Sequence, residues 1–250
     1  KVSMTEEGML AYPLARKISE DCAELATMFG DAGQLLLLGA SSVPGRYLLP
    51  GYMTQYIKQQ PDCRYQLRLG DTEQVHELLK TGEIRIGFVG AMSDREGTEY
   101  YPLAEDRLVM IAPNENAYKQ MKSSGCFGRE LLSRPMIARE EGSGTDRSMM
   151  DYLRETGYPT EQLNIVARVN DPEAIKQMVS QGAGIAVISA RAVEKEAREG
   201  SLLIFEIDST PLRRNIYLAW RRDTAFAAGE TEFMHFLKKE CGAAGTLTPV

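Results

Sequence analysis

Apolar residues in this chain recur with two different periods, and the switches between them mark out its elements. From Thr5 to Phe29 the apolar positions Leu14, Ile18, Cys22, Leu25 and Phe29 fall three or four apart, which places them on one stripe of a helix. Thr5 followed by Glu6 and Glu7 reads as an N-cap with acidic first-turn residues. Pro13 inside that pattern predicts a kink, or a helix that starts properly only around Tyr12. Gly30 and Gly33 then break the helix. A single apolar stripe at one end of the chain predicts coiled-coil pairing with a second subunit, or packing back onto its own domain.

From Gln34 the pattern becomes a strand-helix alternation. Leu35 to Ala40 is the continuous apolar run of a strand buried on both faces of a parallel sheet. Residues 41–45 read as a turn, and 46–59 as a helix with Leu48, Tyr52 and Tyr56 at intervals of four. Residues 65–69 alternate as a strand, Asp71 or Thr72 caps a helix reaching about Lys80, and 85–90 form a third strand. Three such steps in a row predict a parallel sheet with right-handed crossovers. A long strand at 107–113 opens a second series, with strands at 135–138, 164–169 and 184–188. Helices follow Gly144 and span 172–180, where Pro172 suits the first helical position with Asn170 or Asp171 as cap. Late strands at 202–207 and 215–220 and a closing helix at 230–239 complete the chain.

Two series joined by long strands predict two lobes with a cleft between them, and in open α/β sheets ligands bind beyond the carboxyl ends of the strands. Those ends are Ser41 and Ser42, then Ala91, Met92 and Ser93, then Glu141 to Thr145, then Asn170 and Ser189. They are mostly small, neutral and rich in hydroxyls. At Gly142 to Thr145 an apolar run has ended and a helix begins. Ser143, Gly144 and Thr145 read either as an ordinary N-cap or as an anion cradle offering N–H and hydroxyl donors at the positive end of a helix.

Composition narrows the function classes. At 250 residues, with 43% hydrophobic and 26% charged residues, the chain has the makeup of a globular protein with room for a sizeable core. Its longest clean apolar run is strand-sized, far short of the roughly 18 residues that span a bilayer, and residues 1–29 lack the unbroken apolar core of a signal peptide. A net charge of −6, without a dominant basic patch, argues against direct nucleic-acid binding by this stretch. Cys22, Cys63, Cys126 and Cys241 share no CxxC spacing, so neither a zinc site nor a disulfide framework is expected, and a reducing cytoplasm is. No metal or cofactor is predicted.

An enzyme would need a nucleophile, acid or base with an orienting partner, and the chain has two histidines, His76 and His235, each among charged helix neighbours and each read as solvated. No GxSxG, HExxH or P-loop occurs. The turn from Gly39 to Gly45 lacks GxGxxG and contains Pro44, and the adjacent Glu140 and Glu141 read as a solvated charge pair.

In order and spacing, several short motifs are together specific. They are Val2 to Gly8, Gly39 to Ser42, Tyr47 to Pro50, Ile84 to Gly87, Glu141 to Thr145, and Gln181 to Ile188. With them the sequence resembles the LysR-type transcriptional regulators over almost its whole length, without the front of their DNA-binding domain. The resemblance implies the end of a winged helix-turn-helix and a dimerising linker helix over 1–30. It also implies a type II periplasmic-binding-protein-like α/β fold of two Rossmann-like lobes joined by two crossover strands. Lobe I would comprise 34–107 plus 222–241, and lobe II 108–221. It further implies a small-molecule effector held by Ser41, Ser42, Ala91, Met92, Ser93, Ser143, Gly144, Thr145 and Asn170. Partner copies would form a homodimer or homotetramer, with DNA contacted only through the missing domain and no membrane involved. Where many family members carry arginine directly after the GSGT-like segment, this chain has Asp146 and then Arg147. That carboxylate would repel an anion unless it points away or pairs with Arg147. A solute-binding protein serving a transporter is the alternative on the same fold, and a monomeric state would favour it.

Overall fold

Three strands ending level with one another organise the first half of the molecule, a computed structural model that describes residues 5–29, 35–93 and 97–244. β1 (Leu35–Ser41) pairs in parallel with β2 (Arg64–Gly70) on one side and β3 (Ile86–Val89) on the other, with Ser41 opposite Gly70 and Ala40 opposite Phe88. Leu36, Leu38 and Ala40 share one face and are fully buried, whereas on the other face Leu35 is exposed and burial is complete only at Gly39 and Ser41, so the strand is covered on both faces at its carboxyl end alone.

The helix after β1 begins sooner than the apolar pattern predicts. Ser42 is already helical, a π-helical turn runs Pro44–Leu48, and α2 (Leu49–Gln59) continues from it. Pro44 sits in the first turn, where its missing N–H would have had no intrahelical partner. Gly45 lets this turn press on the sheet, since a Cβ there would stand 2.3 Å from Leu69 Cδ2. The stretch read as a turn is thus a helix start. α3 (Thr72–Thr81) is closed at its front by a reciprocal capping box between Asp71 and Gln74, and at its end by Gly82 at φ 68°.

β4 (Thr98–Pro113) and β9 (Leu212–Arg221) are the crossover strands. Their antiparallel ladder runs from Thr98 opposite Arg221 to Leu108 opposite Leu212, with a register shift between Pro102 and Ala104. Both strands are longer than the apolar pattern indicates, because Glu105, Arg107, Arg213 and Asn215 occupy exposed positions. Beyond the ladder, β4 pairs with β7 (Ala186–Ser189) and β8 (Leu202–Glu206), giving a sheet ordered β2-β1-β3-β9-β4-β7 with β8 also on β4. β5 (Pro135–Arg139) and β6 (Asn164–Val169) form a separate parallel pair.

Helices α4 (Asn116–Ser123), α5 (Gly144–Glu155), α6 (Pro172–Ser180) and α7 (Glu194–Glu199) accompany this second half. α4 and α7 bury no side chain fully, and α4 rests only Tyr118 and Met121 against the core, too short an apolar pattern to mark a helix. The buried residues divide accordingly. One cluster holds Phe88, Tyr56, Leu218, Phe233 and Leu237 beneath the closing helix α8 (Ala228–Ala244). Two others hold Met110, Leu153 and Phe205, and Val109, Ile175 and Ile188, on the two sides of β4.

The N-terminal helix α1 (Glu6–Phe29) starts ahead of Pro13 and runs through it, so its start is not deferred to Tyr12. The Thr5 hydroxyl accepts from the Gly8 N–H, as a cap does. Leu14 and Ile18 of the stripe are exposed, as are Met9 and Leu10 ahead of it, so these apolar side chains do not pack back onto the domain. The glycine break at 30–33, residues 2–4 of the first motif, and the side chains of Cys22, Leu25 and Phe29 lie outside the described residues. Among the described residues, no helix is long and apolar enough to cross a membrane.

One glycine joins β5 to the main sheet. Gly184 has φ 142° and precedes Ile185, whose N–H donates to the Pro135 carbonyl at 2.8 Å while its own carbonyl accepts from Ile137. A Cβ on Gly184 would stand 2.1 Å from the Pro135 oxygen. Gly184→Ala therefore combines backbone strain with a clash. It is expected to cost on the order of 3 kcal/mol in urea denaturation, against under about 1 kcal/mol for Gly200→Ala, which has positive φ but open space.

Candidate functional site

Three helix starts converge where β1, β2 and β3 end. Ser42 opens the helical turn after β1, Thr72 opens α3 after β2, and Gly144 opens α5 opposite the end of β3. Ser143 caps α5, its hydroxyl accepting from the Asp146 N–H at 3.1 Å. Helix starts present N–H groups without intrahelical partners and carry the positive end of the dipole, so their convergence makes the space between them positive before any formal charge is counted.

That space is a cavity of about 10 Å³, bordered by Ser41, Ser42, Thr72, Ser143, Gly144 and Thr145. It has room for about one water. The lobes are closed onto it because Gly144 lies against Gly90 at the end of β3, and a Cβ there would stand 2.7 Å from the Gly90 carbonyl carbon and oxygen. Beside it opens a larger cavity of about 1010 Å³ that shares Gly90 and Arg214 and takes in Ala91, Met92 and Ser93. The expected ligand residues therefore fall into two adjoining spaces. Asn170 borders neither; it is exposed and reaches the site only through its backbone carbonyl.

Two buried arginines supply the charge, and strand-end reasoning overlooked both. Arg139 ends β5, and its side chain is 2% exposed. Its Nε and Nη2 donate to the two Glu140 carboxylate oxygens at 2.8 Å each, and Nη2 also donates to Ser42 Oγ at 2.8 Å. Glu140 is thus held in the cleft and is not a solvated partner of Glu141, which points outward. Arg214 on β9 donates from Nε to Asp106 on β4 at 2.9 Å, and its Nη2 lies 2.9 Å from the same carboxylate. Asp106 also accepts from Ser189 Oγ at 2.6 Å, which occupies the hydroxyl at that strand end. Burial lowers the pKa of Arg214 and Asp106 opposes the shift; an arginine remains protonated throughout. The available signal for Arg139 was its position, one residue past an apolar strand.

Asp146 does not burden the site as its sequence position implied. Its carboxylate pairs with Arg168 at 3.1 Å, and not with Arg147. Arg147 instead crosses the junction, donating to the Met92 carbonyl at 2.6 Å and to Glu73 at 3.3 Å. Tyr47 crosses it too, donating to Glu173 at 2.6 Å; burial and that carboxylate raise its pKa well above an ordinary tyrosine's, so it stays the donor. His76, read as solvated, is 2% exposed, with its Nε2 sharing a hydrogen bond with the Tyr100 hydroxyl at 2.8 Å. His235 is exposed as expected. Among the described residues, no cluster of His, Cys, Asp and Glu could hold a metal, and Cys63, Cys126 and Cys241 are unpaired thiols.

Two α/β lobes joined by antiparallel crossover strands, with hydroxyls and arginines gathered where they meet, define a ligand-binding domain of the type II periplasmic-binding-protein class. Residues 30–242 match the family described as the LysR substrate binding domain, and the chain belongs to that family of transcriptional regulators. An uncharacterized HTH-type transcriptional regulator of Methanocaldococcus jannaschii is 26% identical over 242 residues, covering 95% of this chain and 81% of its own. The regulatory domain of Synechocystis CcmR, solved in complex with 2-PG, superposes with a TM-score of 0.74 at 22% identity, over 87% of this chain and all of that one. Full-length CbnR, solved with its target DNA, gives 0.71 at 18% identity, over 96% of this chain and 82% of that one. The chain is therefore the ligand-sensing domain of a LysR-type regulator, and the solute-receptor alternative gives way to it.

Two substitutions probe this geometry. Gly144→Ala leaves a φ that any residue adopts but collides with Gly90. Amide exchange at Asp146 and Arg147 is expected to quicken by roughly tenfold or more while global stability changes little. Unchanged exchange would mean that the two glycines are not in contact in solution. Arg168→Ala removes the main influence lowering a carboxyl whose pKa burial already raises. The Asp146 pKa climbs further, so stability lost at pH 7, on the order of 1 kcal/mol, returns as pH falls and the carboxyl takes up its proton. Denaturation at pH 7 and pH 5 checks the sign, and an equal loss at both counts against it.

Proposed function

We propose that the junction between the lobes binds a small anionic or zwitterionic metabolite through Ser41, Ser42, Ser143, Gly144 and Thr145, with Ala91, Met92, Ser93 and Asn170 bordering the approach. The observation that carries this is the meeting of three helix starts and two buried arginines at one hydroxyl-lined cavity. Ligand contact with both lobes favours their closed arrangement by the difference in its affinity for closed and open forms, and by no more.

In the same reading, residues 34–107 with 222–241 act as one lobe and 108–221 as the other, except that the end of β9 (216–220) belongs with the first lobe, because it pairs with β3 and packs beside Phe88. Helix α1 uses its exposed Met9, Leu10, Leu14 and Ile18 to pair copies into a homodimer or homotetramer. Closure then repositions the subunits and the DNA-binding segments attached to them. The protein works in the cytoplasm, contacts DNA through a domain other than this one, and performs no catalysis; unpaired thiols and a regulator family support that placement.

Calorimetry with small carboxylate, phosphorylated and sulfur metabolites tests the site. Ser41→Ala and Thr145→Val are each expected to weaken binding by roughly tenfold, the worth of one hydrogen bond to a charged group. A metabolite that binds both variants as it binds the parent protein removes the junction from consideration.

A further inference from the structure

We propose that Arg139, Arg214 and Thr72 form an anchoring subsite for one compact oxyanion, a sulfate, phosphate or carboxylate group, and that the Glu140 carboxylate occupies Arg139 until such a group displaces it. The inference rests on the junction being the ligand site and narrows the ligand to a class.

Thr72 supplies the first observation. The residue is 1% exposed, it borders the small cavity, and its hydroxyl has no hydrogen-bond partner. Native proteins leave few buried hydroxyls unpaired, and one facing a cavity marks the place of an absent acceptor. Arg214 is the second. Asp106 takes its Nε and Nη2, while Nη1 lies on the Gly90 and Gly144 side, 3.0 Å from where a Gly144 Cβ would stand. A donor held in place from behind is thus aimed at the meeting point of the helix starts.

Arg139 is the third, and its partner gives the mechanism. Glu140 accepts from it through both oxygens, the forked geometry in which a guanidinium holds any planar or tetrahedral oxyanion. The two side chains are unequally placed, at 2% exposure for Arg139 and 19% for Glu140. Arg139 is fixed, whereas Glu140 lies beside solvent and leads into the Glu141–Gly142 turn, where Gly142 has φ 86°. Glu140 can leave outward; Arg139 cannot follow.

The cavity of about 10 Å³ is too small for a sulfate while Glu140 is in place. Withdrawal of the carboxylate opens room of about its own size and leaves a buried guanidinium without its counter-charge, which strongly favours entry of another anion. One carboxylate leaves and one oxyanion enters, so Arg139 keeps an anionic partner; an entering carboxylate leaves the local charge unchanged, and a sulfate adds one negative charge. Any remainder of the ligand extends past Gly90 and Arg214 into the cavity of about 1010 Å³.

The test is calorimetry and thermal unfolding of the whole chain with sodium sulfate, sodium phosphate, sodium acetate and methyl phosphate as probes. Saturable binding of at least one probe is expected, weakened about tenfold in Thr72→Val and lost in Arg139→Gln. Glu140→Gln carries the decision. It is expected to lower the melting temperature without anion, yet to bind the probe about tenfold more tightly, with a larger thermal shift on anion addition, because the internal competitor is gone. A purely structural Arg139–Glu140 pair would give the same drop in melting temperature with unchanged or weaker binding, and that result overturns the proposal. So does the failure of every probe to saturate, or equal binding by Thr72→Val. Methyl phosphate binding more tightly than phosphate identifies a headgroup on an organic ligand; the reverse identifies the free ion. A metabolite that needs Ser41 and Thr145 but ignores Thr72 and Glu140 leaves the sensor reading standing and removes this subsite.

Discussion

A buried ion pair on the two crossover strands is the constraint from which the junction follows. Asp106 on β4 and Arg214 on β9 stand opposite each other in the antiparallel ladder, both inside the protein. Removing two charges from water costs several kcal/mol per ion, and the cost is recovered only when geometry and remaining hydrogen bonds are satisfied. Asp106 meets that condition by accepting from Arg214 and Ser189 while Arg191 lies 3.7 Å away. The neighbouring pair one residue back, Glu105 with Arg213, lies on the exposed face. A slip of β4 by one residue would turn Asp106 to the exposed face and leave the buried Arg214 without its counter-charge. Charge therefore pins the register of β4 and β9 as firmly as hydrophobic alternation does elsewhere.

This pair and the contacts around it differ in what lobe motion does to them. Asp106 and Arg214 both ride on the strands shared by the two halves, next to the irregularity between Pro102 and Ala104, where the ladder shifts register and a strand bends most readily. In the proposed closure, opening the cleft would leave that pair intact. It would break the bonds of Arg139 to Ser42, Arg147 to the Met92 carbonyl and Tyr47 to Glu173, each made from one half to the other. Single hydrogen bonds of this kind are worth about 1 kcal/mol net, more where a charge takes part. The closed form thus exceeds the open one by a few such bonds, an amount that the binding of a small molecule can match.

Much of this arrangement was legible in the residues, and the gaps have physical causes. An unbroken apolar run marks a central strand of a parallel sheet, so Leu35 to Ala40 and the level ends at Ser41 and Gly90 could be read directly, although Leu35 at the strand's start is exposed. The crossover strands could be read only in part, because a ribbon with one polar face alternates charge with short apolar residues. The same alternation hid Arg214, which beside Arg213 looks like a surface pair until the opposite strand supplies Asp106. Glu140 misled for a different reason. Neighbours in sequence diverge along a strand or helix, but Arg139 is the last residue of β5 and its long side chain folds back to reach the next carboxylate. Asn170 faces outward because the capping role at α6 falls to Asp171, whose carboxylate accepts from the Glu173 N–H.

The net charge of −6 looks at odds with a junction built for anions, and distance resolves the conflict. At physiological ionic strength, exposed charges are screened beyond about 8 Å, so carboxylates scattered over the outer surface contribute little at a buried point. What counts is the near field, and there the helix starts at Ser42, Thr72 and Gly144 add positive potential without adding residues of positive charge. Asp106 and Glu140 offset Arg214 and Arg139, while Arg168 offsets Asp146. Only one of these carboxylates lies beside solvent with a glycine turn behind it. The local balance at the junction therefore turns on Glu140, whose position toward or away from Arg139 changes the charge an entering ligand meets by a full unit.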